Sequence, residues 1–208
     1  MIDNIIADND YYVFNGVKIE FFFDDDIDGY VITDATGNIN ELYIPNTING
    51  KPIKDINGEI FWHLSCFDRV VISEKNDNFT VVDGVLFTKD MKKLIMYPPE
   101  KKDNIYRVPE GIEEIGEDSF GNKYLKTLIL PIGLKWIIQY AMACKNLETI
   151  HIPSSLRKVY FKAFIGCYSI KNVYYQGTKE EWNTIDFTSF NTAITDAKIY
   201  FNSNQFIN

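Results

Sequence analysis

Apolar residues in the middle of the chain fall on a fixed grid. Three openers share one pattern, Pro109-Glu-Gly-Ile112-Glu-Glu-Ile115, Pro131-Ile-Gly-Leu134-Lys-Trp-Ile137 and Pro153-Ser-Ser-Leu156-Arg-Lys-Val159, each starting 22 residues after the one before. Five residues past the second apolar member stands a large side chain, Phe120, Met142 or Phe164. Each unit then closes on residues spaced three, three and two: Asn122, Leu125, Leu128 and Leu130; Cys144, Leu147, Ile150 and Ile152; Cys167, Ile170, Val173 and Tyr175. A degenerate earlier copy fits the same frame at Pro45, Ile48, Ile56, Phe61, Leu64, Phe67, Val70 and Ile72, with an insertion around Asn49-Gly50-Lys51-Pro52.

A fixed period of this length is the signature of a solenoid. Apolar residues two apart, such as Leu128 and Leu130, share one face of an extended segment. Each unit therefore predicts one short strand, ended by a proline that has no N–H to donate, then a bend and an irregular return. No single unit can enclose a core, so neighbours must cover each other's open faces and pair their strands into a parallel sheet.

The flanks predict covers for the two ends. Residues from Tyr11 to Ile39 alternate, with Val17, Ile19 and Phe21 on one side, and read as a β-hairpin cap. Thr178-Lys-Glu-Glu181 has the form of a capping box opening a short helix, with Trp182 and Ile185 turned inward, before a last strand Ile199-Tyr200-Phe201. Phe79 to Tyr97 interrupts the period as an inserted hairpin turning near Lys89-Asp90-Met91-Lys92. The expectation is one domain over residues 1–208, with an N-terminal cap at 11–39, repeats at 40–175 and a C-terminal cap at 176–201.

The pattern Ile-Pro-x-x-Leu-x-x-Val-x-x-x-x-Phe-x-x-Cys-x-x-Ile, from Ile152 to Ile170, resembles the BspA-type leucine-rich repeat. Asp83-Gly84-Val85-Leu86-Phe87, Leu94-Ile95-Met96-Tyr97-Pro98 and the closing segment from Val173 to Trp182 are similar to that family as well. The chain departs from the pattern at Asn122, a usual cysteine position, and at Ile138, where the family prefers glycine. The resemblance implies an α/β leucine-rich-repeat solenoid: a curved parallel sheet of short strands with an irregular, 3₁₀ or short-helix convex side. It also implies a cell-surface or secreted protein concerned with adhesion or protein binding.

Composition narrows the partner. With 46% apolar and 15% aromatic residues the chain is globular, and a net charge of −8 argues against nucleic acid, which calls for a basic stripe. Met1-Ile-Asp-Asn-Ile-Ile-Ala-Asp lacks the basic start and long apolar stretch of a signal peptide, and no run of ~20 apolar residues offers a membrane span. The sequence alone thus reads as a soluble, leaderless monomer without cofactor or membrane insertion.

Candidate chemistry is sparse. Cys144 and Cys167 fall in the repeat's inward column and read as small buried apolar residues rather than a disulfide. Asp24-Asp25-Asp26-Ile27-Asp28-Gly29 matches the start of a calcium loop, but the twelfth position holds Ala35 instead of glutamate, so it reads as a solvated turn and no metal is expected. His63 with Cys66, or Cys144 with His151, supplies a thiol and an imidazole without an oxyanion hole or a third group, so no enzyme is expected.

The strands' outward positions carry the functional expectation. If Leu128 and Leu130 face inward, Ile129 faces out, and the same column reads Tyr43, Val71, Arg107, Ile129, His151, Tyr174 and Tyr200. At about 4.8 Å per strand those rungs form a ladder roughly 29 Å long, beside a second column of Glu41, Arg69, Thr127, Thr149 and Asn172. Tyrosine and arginine are frequent anchors of binding hot spots, so the concave face is the expected docking surface for a protein or peptide. Strands also favour such residues for packing alone, which leaves a structural spacer, or a segment of a larger cell-surface protein, as the alternative.

Overall fold

The structure, a computed structural model, describes residues 3–37, 39–57, 64 and 66–203. Its first part holds β1 (Asn4–Ile5), β2 (Tyr11–Phe14), β3 (Val17–Asp24), β4 (Gly29–Thr36), β5 (Glu41–Ile44), β6 (Thr47–Ile48), β7 (Lys51–Ile56) and β8 (Arg69–Ile72). Asn15-Gly16 adopts positive φ at both positions (49° and 82°), the geometry that a two-residue hairpin between right-twisted strands requires. Val17, Ile19 and Phe21 are buried as their alternation predicts. The cap is larger than a hairpin: β2, β3 and β4 form an antiparallel meander, and β7 extends it in parallel beside β4. The complete six-stranded order is β1-β6-β7-β4-β3-β2, while β5 and β8 pair in parallel as a separate two-stranded sheet. Phe61, one position of the degenerate copy, lies outside the described residues; Leu64 and Phe67 are fully buried.

The interruption between repeats contains β9 (Phe79–Val82), β10 (Val85–Thr88) and β11 (Lys93–Met96). It is a three-stranded meander with two turns instead of the single hairpin expected. The first turn is Asp83-Gly84, again with positive φ at both positions (50° and 77°). The second, at 89–92, is held by Asp90, whose carboxylate accepts from Thr88 Oγ1 at 2.7 Å and from the Lys92 amide at 3.0 Å.

The repeats supply β12 (Ile105–Arg107), β13 (Glu114–Ile115), β14 (Thr127–Ile129), β15 (Trp136–Ile137), β16 (Thr149–Ile152), β17 (Lys158–Val159) and β18 (Asn172–Tyr175). After them come α1 (Lys179–Trp182), β19 (Asp186–Phe187), α2 (Thr192–Thr195) and β20 (Lys198–Tyr200). A parallel five-stranded sheet runs β12-β14-β16-β18-β20, with Leu128, Ile150 and Val173 in register and fully buried. Each winding thus covers the next, as the spacing predicts.

Each unit gives two strands, however, not one. Ile115, Ile137 and Val159, the second apolar residues of the openers, stack in register on β13, β15 and β17, within a seven-stranded sheet ordered β19-β17-β15-β13-β11-β10-β9. A two-residue strand has no alternation to display, so its pairing arises from stacking. A third row, Tyr97, Phe120 and Met142, is joined by single parallel bridges. The chain enters this row at Phe120 and Met142 through Asp118 and Tyr140, and reaches the equivalent Phe164 through Lys162, all with φ of 52–55°, a conformation that costs an L-residue about 1–2 kcal/mol.

The capping box forms: Glu181 N donates to Thr178 Oγ1 at 3.2 Å and Thr178 N to Glu181 Oε2 at 2.8 Å. Trp182 and Ile185 are buried beneath the last rung. Strand β19 and helix α2 were not anticipated, being too short to show a period, although Ile194 of α2 is fully buried.

Candidate binding face

Backbone pairing decides which outward residues share a ladder. Arg107, Ile129, His151, Tyr174 and Tyr200 are successive Cα partners across the five-stranded sheet, in the register expected. Tyr43 and Val71 are partners on β5 and β8, but that pair is a separate sheet. The gap has a physical cause. Val70 N donates to Gly84 O at 2.9 Å and Glu100 N to Phe67 O at 3.0 Å, so the meander's first turn and the Pro98–Lys101 loop occupy the space where β8 would meet β12. The ladder expected over the whole chain is therefore a run of five rungs, about 19 Å long at ~4.8 Å per strand, and a detached pair.

Tyr43 is not available on a surface. It is 9% exposed, with its ring 5.0 Å from that of Phe14 on the N-terminal sheet. In the second column, Thr127, Thr149 and Asn172 align as expected, and Ile105 and Lys198 extend the row at its two ends. Glu41 and Arg69 form an ion pair on the detached strands.

The last three rungs of the outer column form an aromatic stack. His151 lies 4.9 Å from Tyr174 at 16° between planes, and Tyr174 lies 4.8 Å from Tyr200 at 12°. These separations match the strand spacing, so parallel pairing itself sets ring on ring. His151 is only 7% exposed, although it stands on the outward side. Burial, then the charge of Arg107, holds its imidazole below the usual value, leaving it neutral near pH 7. Lys198 Nζ sits 4.7 Å from the ring centre of Tyr200 at the end of the stack.

The thiols face the opposite way. Cys144 and Cys167 are fully buried, unpaired, and donate to Phe120 O at 3.7 Å and Met142 O at 3.5 Å, each the carbonyl of the preceding winding. Burial pushes the Cys167 thiol up to about 12 and the Cys144 thiol further, aided by neighbouring Cys167. A nucleophilic thiol needs the reverse shift. His63 lies outside the described residues. Cys66 is half-buried and contacts Ile39 N at 3.4 Å and Gly37 O at 3.7 Å.

The Asp24–Gly29 segment is the turn between β3 and β4, and Lys51 Nζ pairs with Asp28 at 2.7 Å. Among the described residues no group of three His, Cys, Asp or Glu side chains gathers to hold a metal, and no helix is long and apolar enough to cross a membrane.

Sequence reasoning missed two polar devices that join successive windings. Asn122, fully buried, donates from Nδ2 to Pro98 O (2.9 Å), Pro99 O (3.1 Å) and Lys101 O (2.8 Å), while its Oδ1 accepts from the Tyr124 and Leu125 amides at 2.7 and 2.8 Å. It binds the loop beneath β12 to the first full winding. Its signal was the departure from cysteine. The second device is a set of charges alternating between windings: Glu113 receives both Lys92, at 2.6 Å, and Lys135, and Glu148 pairs with Lys171 at 3.1 Å.

The family profile and one solved structure agree with this architecture. The profile of the BspA type leucine rich repeat region matches residues 102–208 in six copies, just over half of the chain. No curated protein matches. Among solved structures, a leucine-rich repeat protein from Eubacterium ventriosum superposes with a TM-score of 0.53 at 18% identity, over 65% of this chain and 42% of that one. The pneumococcal vaccine antigen PcpA gives 0.47 at 21% identity, over 80% of this chain and 55% of its own. A leucine rich cell surface protein from Faecalibacterium prausnitzii gives 0.40 at 21% identity, over 73% and 52%. The chain spans about half the length of these structures.

Proposed function

The chain belongs to the BspA-type leucine-rich repeat family, and on that premise we propose that it is a non-enzymatic protein-binding module whose contact surface is the outer face of the five-stranded sheet. The observation that carries the reading is the aligned column Arg107, Ile129, His151, Tyr174 and Tyr200. Its rings are already immobilised against one another, so docking avoids much of the ~0.5–1.5 kcal/mol that ordering a flexible side chain costs. Arg107 at one end and the tyrosines at the other offer the residue types that anchor hot spots. Tyr43 and Val71, on the detached pair of strands, drop out of the contact set, and His151, as buried as Tyr43, contributes by holding the Tyr174 ring rather than by direct contact.

The proposal treats residues 1–208 as one domain working at the cell surface, with caps at 11–39 and 176–201. Leu86, Ile95 and Met96 support the unity: they stand on strands of the seven-stranded sheet yet pack in the N-terminal core.

The test is capture of a binding partner from source-cell surfaces by the wild type and by a triple Ile129→Ser, Tyr174→Ser, Tyr200→Ser variant, with circular dichroism confirming that both are folded. Loss of capture is expected, and undiminished capture refutes the assignment. A spacer role is the second reading, favoured by the sealing of His151 inside the stack, which serves packing alone. That reading requires no partner sensitive to the triple variant.

A further inference from the structure

The N-terminal sheet, outside the matched repeat region, carries a second and unrelated opening. Strands β1 and β2 are the two ends of the six-stranded order, yet they are joined by residues 6–10 alone and line one groove of about 470 Å³. The two end strands thus border one open slot on the surface. On both lips the described residues include backbone groups that point away from their sheet partners. In β2 the two-residue turn makes Phe14 and Val17 the bonded closing pair, so Tyr12 bonds to Ile19 and the N–H and C=O groups of Tyr11 and Val13 point away from β3. In β1 the Asp3 and Ile5 carbonyls accept from Thr47 and Asn49, which sends the backbone groups of Asn4 and Ile6 the other way.

Proteins guard such edges with lysine, proline or a bulge; the Tyr11–Phe14 edge carries none of these. Instead its rim is apolar, with Ile6 74% and Val13 64% exposed. The rim is also acidic: Asp8 and Asp10 are exposed and form no ion pair among the described residues.

We propose that this slot takes an extended segment of a partner protein as an added strand on β2, its valine-like side chains lying beside Tyr11 and Val13 and a basic residue at the end next to Tyr11 meeting Asp8 and Asp10. Main-chain bonds to Tyr11 and Val13 supply the register, as in other cases of strand addition. The charges choose a basic segment over an acidic one.

The probe is a capped Lys-Val-Thr-Val-Thr-Val-Lys peptide added to the full chain. Saturable binding by calorimetry and slowed hydrogen exchange at the Tyr11 and Val13 amides are expected. The same peptide N-methylated on the residues that would bond, or carrying glutamate in place of lysine, fails to bind. Val13→Pro removes only an outward N–H from an edge strand, where proline is tolerated, and lowers affinity about tenfold, the equivalent of one lost hydrogen bond. Binding of the N-methylated peptide equal to that of its parent, or unchanged exchange at Tyr11 and Val13, overturns the proposal. So does a sedimentation result in which the slot is closed by a second copy of the chain and excludes the peptide.

Discussion

Restoring the family's cysteine at position 122 should weaken the protein. Consensus replacements usually stabilise, but here the two side chains meet different surroundings. Cys144 and Cys167 each reach one carbonyl of the winding before, whereas Asn122 faces a loop and contacts five backbone groups, its two N–H groups shared among three carbonyls. Three of these contacts are buried, those to Pro98 O, Pro99 O and the Leu125 amide. A thiol can replace at most one of them, weakly. At ~1–3 kcal/mol for each buried group left unmatched, less what local relaxation recovers, Asn122→Cys should cost about 3–5 kcal/mol. For a chain of this size that is a fall of about 6–20 °C in melting temperature. Urea and thermal unfolding by circular dichroism measure the loss, and hydrogen exchange should quicken first at the Tyr124 and Leu125 amides. An unchanged or raised midpoint would show that the loop carbonyls find water, and would refute the role given to Asn122.

Three further outcomes follow from the same geometry. Phe164→Ala empties the core beneath the last repeat and should lower stability by ~3–5 kcal/mol in urea unfolding. His151 has a folded pKa depressed below its unfolded value of about 6.5, so its contribution is complete above that pH and is lost as pH falls from there through the folded value; His151→Phe should flatten the dependence of the urea midpoint between about pH 7 and pH 5. Glu113, held down to about 2 first by Lys135 and then by Lys92, contributes above its unfolded value and loses that contribution as pH falls through about 2; Glu113→Gln should reduce the acid sensitivity of unfolding at low salt, and high salt should erase the difference between the two proteins.

What the sequence showed and what it hid divide along physical lines. Leu128, Ile150 and Val173 revealed the sheet because each strand is flanked by inward residues two apart. The register of Arg107 through Tyr200 followed from the same period. The second sheet stayed hidden because Ile115, Ile137 and Val159 each belong to a strand of only two residues, whose extended form comes from the neighbour above. The break between Val71 and Arg107 was equally invisible: a period records which residues are equivalent, not what a meander from Phe79 to Met96 places between two windings. Burial of Tyr43 under Phe14 depends on how the N-terminal sheet lies across β5, and no local pattern encodes that contact. The Asn122 seal and the β1–β2 slot are likewise tertiary facts, visible only once distant segments meet.

The thiol column bears on how such a protein changes length in evolution. Cys144 and Cys167 need only a backbone oxygen from the preceding turn of the coil, which any added copy would provide. Tandem duplication of the segment beginning at Pro131 should therefore be absorbed without redesign, lengthening the molecule by one increment. Insertion immediately upstream of Asn122 would separate that amide from Pro98 and Pro99 and leave both segments unsealed. Descendants of this sequence that differ in size should accordingly have gained or lost material after that residue, not before it.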